Sequence, residues 1–232
     1  MLRANEIMMR TMSEVACTRL WLSTLALKRA LDKNISFDFA RAIKAGETLL
    51  VGEGNLSFSV ALSYLAGHAT ANITATTHQP ERQYLADTST NASILRKRGI
   101  RVISCVDATR LSATFDTKKF QLIVFQFPNV GSRKPIYGRN PNHVLVLRFL
   151  RSASEQLALA GCIAITVVNS SHYDGAFDMD SAAERNGFER PIAYPFYFAN
   201  YPGYQHVKTK EDGHSAIDDG DQFVTYVFKK RL

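Results

Sequence analysis

Cysteine is scarce in this chain of 232 residues, and Cys17, Cys105 and Cys162 lie far apart with no CxxC pair. This spacing argues against a disulfide framework and against a cysteine-based zinc site, and it favours a reducing compartment. The six histidines show no HxxxH spacing either. We therefore expect no metal ion in this protein.

Long apolar runs are also missing. No stretch approaches the 18 apolar residues that a membrane-spanning helix needs, so we expect no membrane partner. The first residues carry several arginines, as organellar presequences do, but Glu6 and Glu14 count against that interpretation because transit peptides are poor in acids. The sequence thus predicts a cytoplasmic protein.

What the chain does contain is ordinary for a soluble globular protein, with 46% hydrophobic and 21% charged residues. A net charge of +7 indicates an anionic partner, although a basic surface that is merely solvated is the alternative. We predict a helical arm at residues 1–45 and a single Rossmann-like domain at residues 46–232. The basic arm either helps to hold the substrate or packs on the core as an extra helix, and we favour packing.

The domain is organised around a strand, a glycine turn and a helix. An apolar run at Thr48–Val51 predicts a buried strand, and Gly52 and Gly54 allow a sharp turn and the close approach of a ligand. Phe58 breaks the fingerprint of dinucleotide-binding turns, whereas a GxG turn that contains Glu53 fits S-adenosylmethionine (SAM) better than NAD. A turn of the same shape that binds no nucleotide is the alternative. We expect a positive φ at Gly54, where a valine side chain would abolish SAM binding.

The next two strands end in polar residues that suit a cofactor. The run Ile73–Thr77 leads into Gln79, which could hydrogen-bond ribose hydroxyls in place of the usual carboxylate; Glu81 is a less well placed candidate. The run Arg101–Val106 leads into Asp107 and Ala108, where a carboxylate could accept from the adenine amine. Asp107 could equally cap the turn that follows it.

A fourth, nearly all-apolar strand is predicted at Phe120–Phe127 and is followed by Pro128 and Asn129. The loop after it is basic and lies where open α/β sheets bind their ligands. Its cations could contact phosphates, or the loop could simply be solvated. These cations are Arg133, Lys134 and Arg139.

A long connection near the C-terminus is rich in aromatic residues. Aromatic side chains among basic ones are typical of surfaces that stack on an unpaired base. We expect Tyr194, Phe196 and Phe198 to alternate into the core. Tyr201, Tyr204 and His206 are the predicted substrate-facing residues of this connection.

Taken together, these elements predict an α/β fold with a Rossmann-like, doubly wound and mostly parallel sheet of seven strands, the last of them antiparallel. The later strands are expected at residues 162–168, 191–196 and 222–229. An amphipathic helix is predicted at residues 143–159.

Three stretches together resemble a known family. They are Leu50–Ser59, with the sequence LVGEGNLSFS, Phe125–Gly131, with FQFPNVG, and Gly203–His206, with GYQH. The pattern is similar to that of the Rossmann-like fungal 25S-rRNA uridine N3-methyltransferases, over roughly residues 46–229. Two departures stand out, because the family commonly has histidine where this chain has Asn129 and an acid where it has His78 and Gln79.

The resemblance implies a class I SAM-dependent methyltransferase that acts on a uridine-type base in RNA, with SAM as cofactor. Asn129 and Pro128 would lie beside the transferred methyl, and His206 is a candidate base. A methyltransferase of small molecules and a non-catalytic binding module are the alternatives. The residues expected to bind SAM are Gly52, Glu53, Gly54, Asn55, Ser57, Phe58, Thr77, Gln79, Asp107, Ala108 and Phe127; those expected to bind substrate are Arg133, Lys134, Arg139, Tyr201 and Tyr204.

Overall fold

A computed structural model describes residues 35–132, 134–169, 175–207 and 221–231. Seven strands form one sheet in the order β3-β2-β1-β4-β5-β7-β6. The pairs among β1 to β5 are parallel, whereas β7 runs antiparallel to both of its neighbours. The predicted doubly wound sheet with an antiparallel last strand is therefore confirmed. The strands are β1 Thr48–Val51, β2 Ile73–Thr76, β3 Arg101–Ile103, β4 Phe120–Gln126, β5 Leu157–Asn169, β6 Ile192–Pro195 and β7 Gln222–Lys229.

Helices cover both faces of the sheet. Among those described, none combines the length and the apolar character needed to cross a membrane. The helix predicted at residues 143–159 begins earlier, with Pro141 in its first turn after the cap Asn140, and ends where β5 begins. The helices are α1 Phe39–Lys44, α2 Ser57–Ala66, α3 Ala86–Lys97, α4 Ser112–Phe115, α5 Pro141–Gln156 and α6 Met179–Arg185.

The sheet separates two hydrophobic cores. On one face, side chains of β4 and β5 pack on α5 and α6. On the other face, the alternate side chains of the same strands pack on α1, α2 and the aromatic segment that follows β6. Because β4 is buried on both faces, its nearly continuous apolar sequence follows from its central place in a parallel sheet.

Helix α1 belongs to the predicted N-terminal arm, of which residues 35–45 are described; residues 1–34 lie outside the described part of the chain. Asp38 caps this helix by accepting from the N–H of Arg41. Phe39 and Ile43 are buried in the second core. Burying each of these side chains stabilises the fold by roughly 1.5–3 kcal/mol, so the described part of the arm is a packed helix.

Candidate cofactor and substrate site

The carboxyl ends of the neighbouring strands β3, β2, β1 and β4 lie side by side. At β1 the order in which successive strands are added to the sheet reverses. The β1–β2 connection leads to one side of β1, and β4 lies on the other. A crevice outside the carboxyl ends at such a switch point is the general ligand site of open α/β sheets. Loop backbones link these ends, since Glu53 N–H donates to Thr76 O (2.9 Å) and Val106 N–H donates to Thr77 O (3.0 Å).

The glycine turn after β1 is tightly constrained at Gly52. Its φ is 66°, and a Cβ atom there would lie 2.7 Å from Cε2 of Phe125. Gly54 is not among the glycines with positive φ. The positive φ predicted at Gly54 is therefore wrong, because the chain makes its sharp turn directly at the strand end.

The N-terminus of α2 is capped by the turn itself. Glu53 Oε2 accepts from the N–H and the hydroxyl of Ser59, both at 3.0 Å. Asn55 Oδ1 accepts from the N–H (3.1 Å) and hydroxyl (2.7 Å) of Ser57. Helix N-termini that bind phosphates leave such N–H groups to the ligand. This self-capped end is better suited to a cofactor without phosphate groups, such as SAM, than to a dinucleotide.

The carboxyl group of Glu53 is held in an unusual state. It is 6% exposed, and this burial raises its pKa from 4.5 to about 7, against the opposing effect of the two Ser59 hydrogen bonds. Desolvation disfavours the charged form more than these two donors favour it. Glu53 therefore changes charge close to neutral pH.

The ends of β2 and β3 form the next part of the edge. The Thr77 hydroxyl donates to Gln79 O (2.9 Å) and lies 2.7 Å from the Tyr84 hydroxyl. Thr77 is buried, so its predicted cofactor role would act through the position of Gln79. Glu81, the other ribose candidate, is an exposed partner of Arg96 at 2.7 Å. Glu81 is therefore engaged in an exposed ion pair, whereas Gln79 lies closer to the end of β2 in the chain.

Asp107 caps the 3₁₀ turn that contains Ala108. Its Oδ1 accepts from the N–H and the hydroxyl of Thr109, both at 2.8 Å. Its Oδ2 takes part in neither of these bonds. From the sequence, capping the turn and accepting from the adenine amine were alternative roles for Asp107. One carboxylate could perform both, because the cap uses only Oδ1.

The end of β4 bends sharply at Phe127, whose φ is 49° and whose N–H donates to Thr166 O (2.8 Å). Pro128 is buried, and Asn129 is exposed. Asn129 Oδ1 accepts from the N–H of Gly131 (2.8 Å), which forms a tight Asx turn. The loop therefore holds Asn129 at the edge of the crevice.

The aromatic segment after β6 folds over the glycine turn. Ser57 Oγ and the backbone of Gln205 lie 3.0 Å apart, although 148 residues separate them in sequence. The Tyr204 ring lies 5.0 Å from Phe58, and His206 lies 4.5 Å from Phe127. The structure thus brings Tyr204 and His206 to the predicted cofactor residues.

Tyr201 has a different position from the one predicted. Its side chain is 5% exposed and stacks on Phe196 with ring centroids 4.9 Å apart and an interplanar angle of 9°. Burial raises the pKa of its hydroxyl above the ordinary value. A base could stack on Tyr201 only if this core contact opened, so in this structure Tyr201 is a packing residue.

His206 is part-buried against Phe127, and burial lowers its pKa from 6.5 to about 4. The ring is therefore neutral at physiological pH and can accept a hydrogen bond or a proton. A conjugate acid of such low pKa also makes the imidazole a weak base.

The basic loop forms a tight hairpin. Ile136 and Arg139 exchange two backbone hydrogen bonds of 2.9 and 3.0 Å. Tyr137 and Gly138 between them have φ values of 52° and 73°, as a two-residue hairpin turn requires. Lys134 and Arg139 are exposed, and the Tyr137 side chain is 90% exposed. Arg133, the third predicted cation, lies outside the described residues.

Backbone strain gathers along this edge. Leu56, Cys105, Phe127 and Tyr137 all adopt positive φ in the loops after β1, β3 and β4. Such conformations cost about 1–3 kcal/mol each and cluster at binding sites. Leu56 is also the N-cap of α2.

Two residues of this edge escaped the sequence analysis. Gln126 is the last residue of β4, in which Gln121 is the other polar residue, and a glutamine between Phe125 and Phe127 is the signal that could have identified it. Tyr137 precedes Gly138 between Ile136 and Arg139, and a glycine at this place in a loop was the signal for a hairpin tip. No group of three or more His, Cys, Asp or Glu side chains in the described ranges could hold a metal ion.

The sheet order, the antiparallel β7 and the glycine turn after β1 define the fold of class I methyltransferases. Residues 49–208 match the family model BMT5-like, described as rRNA (uridine-N3-)-methyltransferase BTM5-like, and the chain belongs to this family. The family resemblance seen in the sequence is thereby confirmed. The prediction of a SAM-dependent methyltransferase from an RNA-methylating family, with SAM as cofactor, is confirmed at the level of the family.

Relatives extend over most of this chain. An uncharacterized protein of Arabidopsis thaliana is 32% identical over 183 residues, 74% of this chain and 85% of that protein. The ferredoxin-fold anticodon-binding domain-containing protein 1 homolog of Mus musculus is 29% identical over 199 residues, 79% of this chain. The matched region spans 31% of the mouse protein.

Among solved structures, NSun6 from Pyrococcus horikoshii, determined with SFG, has a TM-score of 0.54 and 13% identity. The match covers 82% of this chain and 50% of that one. At this identity the likeness shows the fold alone.

Proposed function

We propose that this protein transfers the methyl group of SAM to N3 of a uridine in RNA, with rRNA as the substrate class. The observation that carries the proposal is the order of polar groups along one sheet edge. Asp107, Gln79, the Gly52–Asn55 turn and Asn129 follow β3, β2, β1 and β4, which are neighbours in that order. The adenine and the ribose of SAM would meet Asp107 and Gln79, and the methionine portion would meet the Gly52–Asn55 turn. The methyl group, which branches from the sulfur between ribose and methionine, would face Asn129.

The cofactor half of the site would hold SAM without a phosphate-binding element. Asp107 Oδ2 and the backbone beside Ala108 would meet the adenine, and Gln79 would meet the ribose. Glu53 would bind the cationic methionine end, because a carboxyl group with a pKa of about 7 can ionise when a positive charge arrives. Phe127, which is half-buried, would border the cofactor from the aromatic side. Phe58, also predicted to bind SAM, is fully buried and is a packing residue behind the turn.

Methyl transfer is an in-line displacement in which the bond from sulfur to the methyl carbon breaks as the bond from N3 forms. The N3 proton must leave the uracil before or during attack. His206 is neutral and close to the end of β4, so it could take this proton directly or through water. Asn129 would orient the base with its exposed amide.

An RNA substrate is favoured over a small molecule by the hairpin of residues 136–139. It presents Tyr137 almost fully to solvent with Lys134 and Arg139 close by in the chain, next to the end of β4. A ring that stacks and cations that meet phosphates suit a nucleic-acid strand. An enclosed pocket for a small molecule would bury such a ring instead.

Labelled SAM tests this proposal directly. The full chain would be incubated with labelled SAM and either rRNA or a mixture of small metabolites, and the RNA and small-molecule fractions would be separated. We expect label in RNA, at N3 of uridine after nuclease digestion. Label in the small-molecule fraction alone would establish the alternative acceptor class.

A cytoplasmic location is proposed together with this activity. Cys105 and Cys162 are free thiols, as expected in a reducing compartment. Microscopy of a tagged full-length protein would test it, and an organellar signal would contradict it.

A further inference from the structure

Gln126, the last residue of β4, has a buried side-chain amide with unsatisfied hydrogen-bonding capacity. The residue is 8% exposed, and neither its Oε1 nor its Nε2 has a hydrogen-bond partner among the described residues. Leaving a buried polar group unpaired destabilises the folded state, because the group loses its hydrogen bonds to water and gains none in return. A leucine at this position would avoid this destabilisation. The presence of an amide here therefore indicates a function other than stabilising the fold.

The position of Gln126 in the sheet indicates what this function is. Phe125 pairs in register with Val51, so Gln126 lies level with Gly52 at the switch point between β1 and β4. The Phe125 ring packs on Phe149 in one core, and side chains alternate along a strand. The amide therefore faces the other core, on the side of Phe127 and the aromatic segment.

The neighbouring strand gives the amide no partner. Thr166 of β5 pairs with Gln126 in register, but its hydroxyl lies 2.9 Å from that of Thr225. A second buried glutamine, Gln156, differs in this respect. Its Nε2 donates to Asp116 O at 3.0 Å, near the opposite, amino-terminal end of β4. Only Gln126 of the two keeps both amide atoms unused.

We infer that Gln126 is a recognition residue, with its Nε2 donating a hydrogen bond to a uracil carbonyl oxygen of the base that receives the methyl group. This inference rests on the proposed function. Loss of the N3 proton places negative charge on the carbonyl oxygens beside N3, and a preorganised donor in a buried site stabilises such charge. The amide is neutral and fits a neutral carbonyl, whereas the charged end of SAM favours charged partners.

The variant Gln126→Leu tests this role in the full chain, with Gln156→Leu as the matched control. We expect Gln126→Leu to lower kcat/KM for RNA roughly 10- to 100-fold, mainly through kcat, because the donor to the developing charge is removed. The rising limb of the pH–rate profile should move to higher pH, since the N3 proton becomes harder to remove. SAM affinity should stay within about twofold, and Tm should not fall, because an unsatisfied amide is removed.

Gln156→Leu should behave in the opposite way, with a lower Tm because its hydrogen bond to Asp116 is removed, and with normal methyl transfer. The inference is overturned if Gln126→Leu methylates RNA as the parent does. It is also overturned if SAM affinity falls while turnover at saturating SAM is unchanged, or if Tm and all activities fall together. A parent chain that labels no RNA would instead show that the proposed function itself has failed.

Discussion

The two halves of the proposed site use their polar groups in opposite ways. In the turn at residues 52–59, Glu53, Asn55 and Ser59 are buried and spend their hydrogen bonds on one another or on the helix end. In the loop at residues 129–140, Lys134, Tyr137 and Arg139 are exposed on a backbone fixed by its own turns.

This difference indicates what each half is built to meet. A turn whose shape is fixed before binding suits a small cofactor of constant shape, because little ordering is left to do when it binds. An exposed ring and cations on a hydrogen-bonded hairpin suit a large partner that arrives from solvent. Changes in the turn should therefore affect stability and SAM binding together, whereas changes in the hairpin should affect RNA binding alone.

The largest effect is expected from Gly52→Ala. A left-handed φ costs an alanine about 1–2 kcal/mol, and the contact with Phe125 at 2.7 Å adds about 1–3 kcal/mol of overpacking. The free energy of unfolding should fall by about 2–5 kcal/mol in denaturant titration, with loss of SAM binding by calorimetry. Gly99→Ala is the control, since φ is 80° there but no atom lies within 4 Å of the added Cβ. Equal losses in both variants would mean that the Phe125 contact has no effect.

A second large effect concerns the pH dependence of stability through Glu53. The folded-state pKa of about 7 exceeds the ordinary 4.5, so the folded state binds the proton more tightly than the unfolded state. The stabilisation is complete below about pH 4.5 and is lost as the pH rises to about 7, a change of roughly 3 kcal/mol. Glu53→Gln keeps an oxygen for Ser59 and should remove this slope, and above pH 7 it should be more stable than the parent.

Thermal unfolding of the two chains between pH 4.5 and pH 8 would measure the Glu53 effect. Glu81→Gln is the control, because Glu81 is exposed and its pKa is lowered by its hydrogen bond to Arg96. Its own pH dependence lies below pH 4.5, so the slope above that pH should persist. Parallel curves for parent and Glu53→Gln would contradict the prediction.

Features of the fold that depend on residues close together in sequence could be predicted, whereas features that depend on contacts between distant residues could not. Strands β1, β4 and β7 were predicted to within a residue or two, since apolar runs and glycine punctuation are local signals. The buried stack of Tyr201 on Phe196 was not, because the Tyr201 ring also packs on Phe39 of α1 and Phe58 of α2, which are far away in sequence. The unpaired amide of Gln126 depends on strand register in the same way.

A smaller effect, on SAM affinity, is expected at Asp107, where one carboxylate is assigned two roles. Asp107→Ala removes both the cap and the adenine contact, so SAM affinity should fall by about one to two decades, equivalent to 1.5–3 kcal/mol, and Tm should fall as well. Asp107→Asn keeps an Oδ1 acceptor for Thr109 but replaces the other oxygen with a donor. It should therefore lose SAM affinity in calorimetry with little change in Tm. If Asp107→Asn binds SAM as the parent does, Asp107 is only a cap.

The hairpin half is tested first by Tyr137→Ala. The ring is 90% exposed, so Tm and SAM affinity should not change measurably. RNA binding should weaken by about 1–3 kcal/mol if one base stacks on the ring, with recovery in Tyr137→Trp. The control is Tyr64→Ala, because Tyr64 is 62% exposed on α2 and lies under Arg98, away from the hairpin. Equal RNA binding by parent and Tyr137→Ala would remove the hairpin tip from the interface.

The smallest effect per residue is expected from the hairpin cations, and it is best detected through salt dependence. Removing one cation that meets a phosphate should lower the slope of log affinity against log salt by roughly 0.7–0.9, so a double alanine variant of Lys134 and Arg139 should lower it by about 1.4–1.8. SAM affinity should not change, because the loop follows β4 rather than the strands assigned to the adenosine. A double alanine variant of Lys118 and Lys119 removes the same charge at the other end of β4 and serves as the control. Equal slopes for both double variants would attribute the salt dependence to net charge alone. A slope that is lower only in the hairpin variant would show that RNA phosphates contact Lys134 and Arg139 in the loop that follows Asn129.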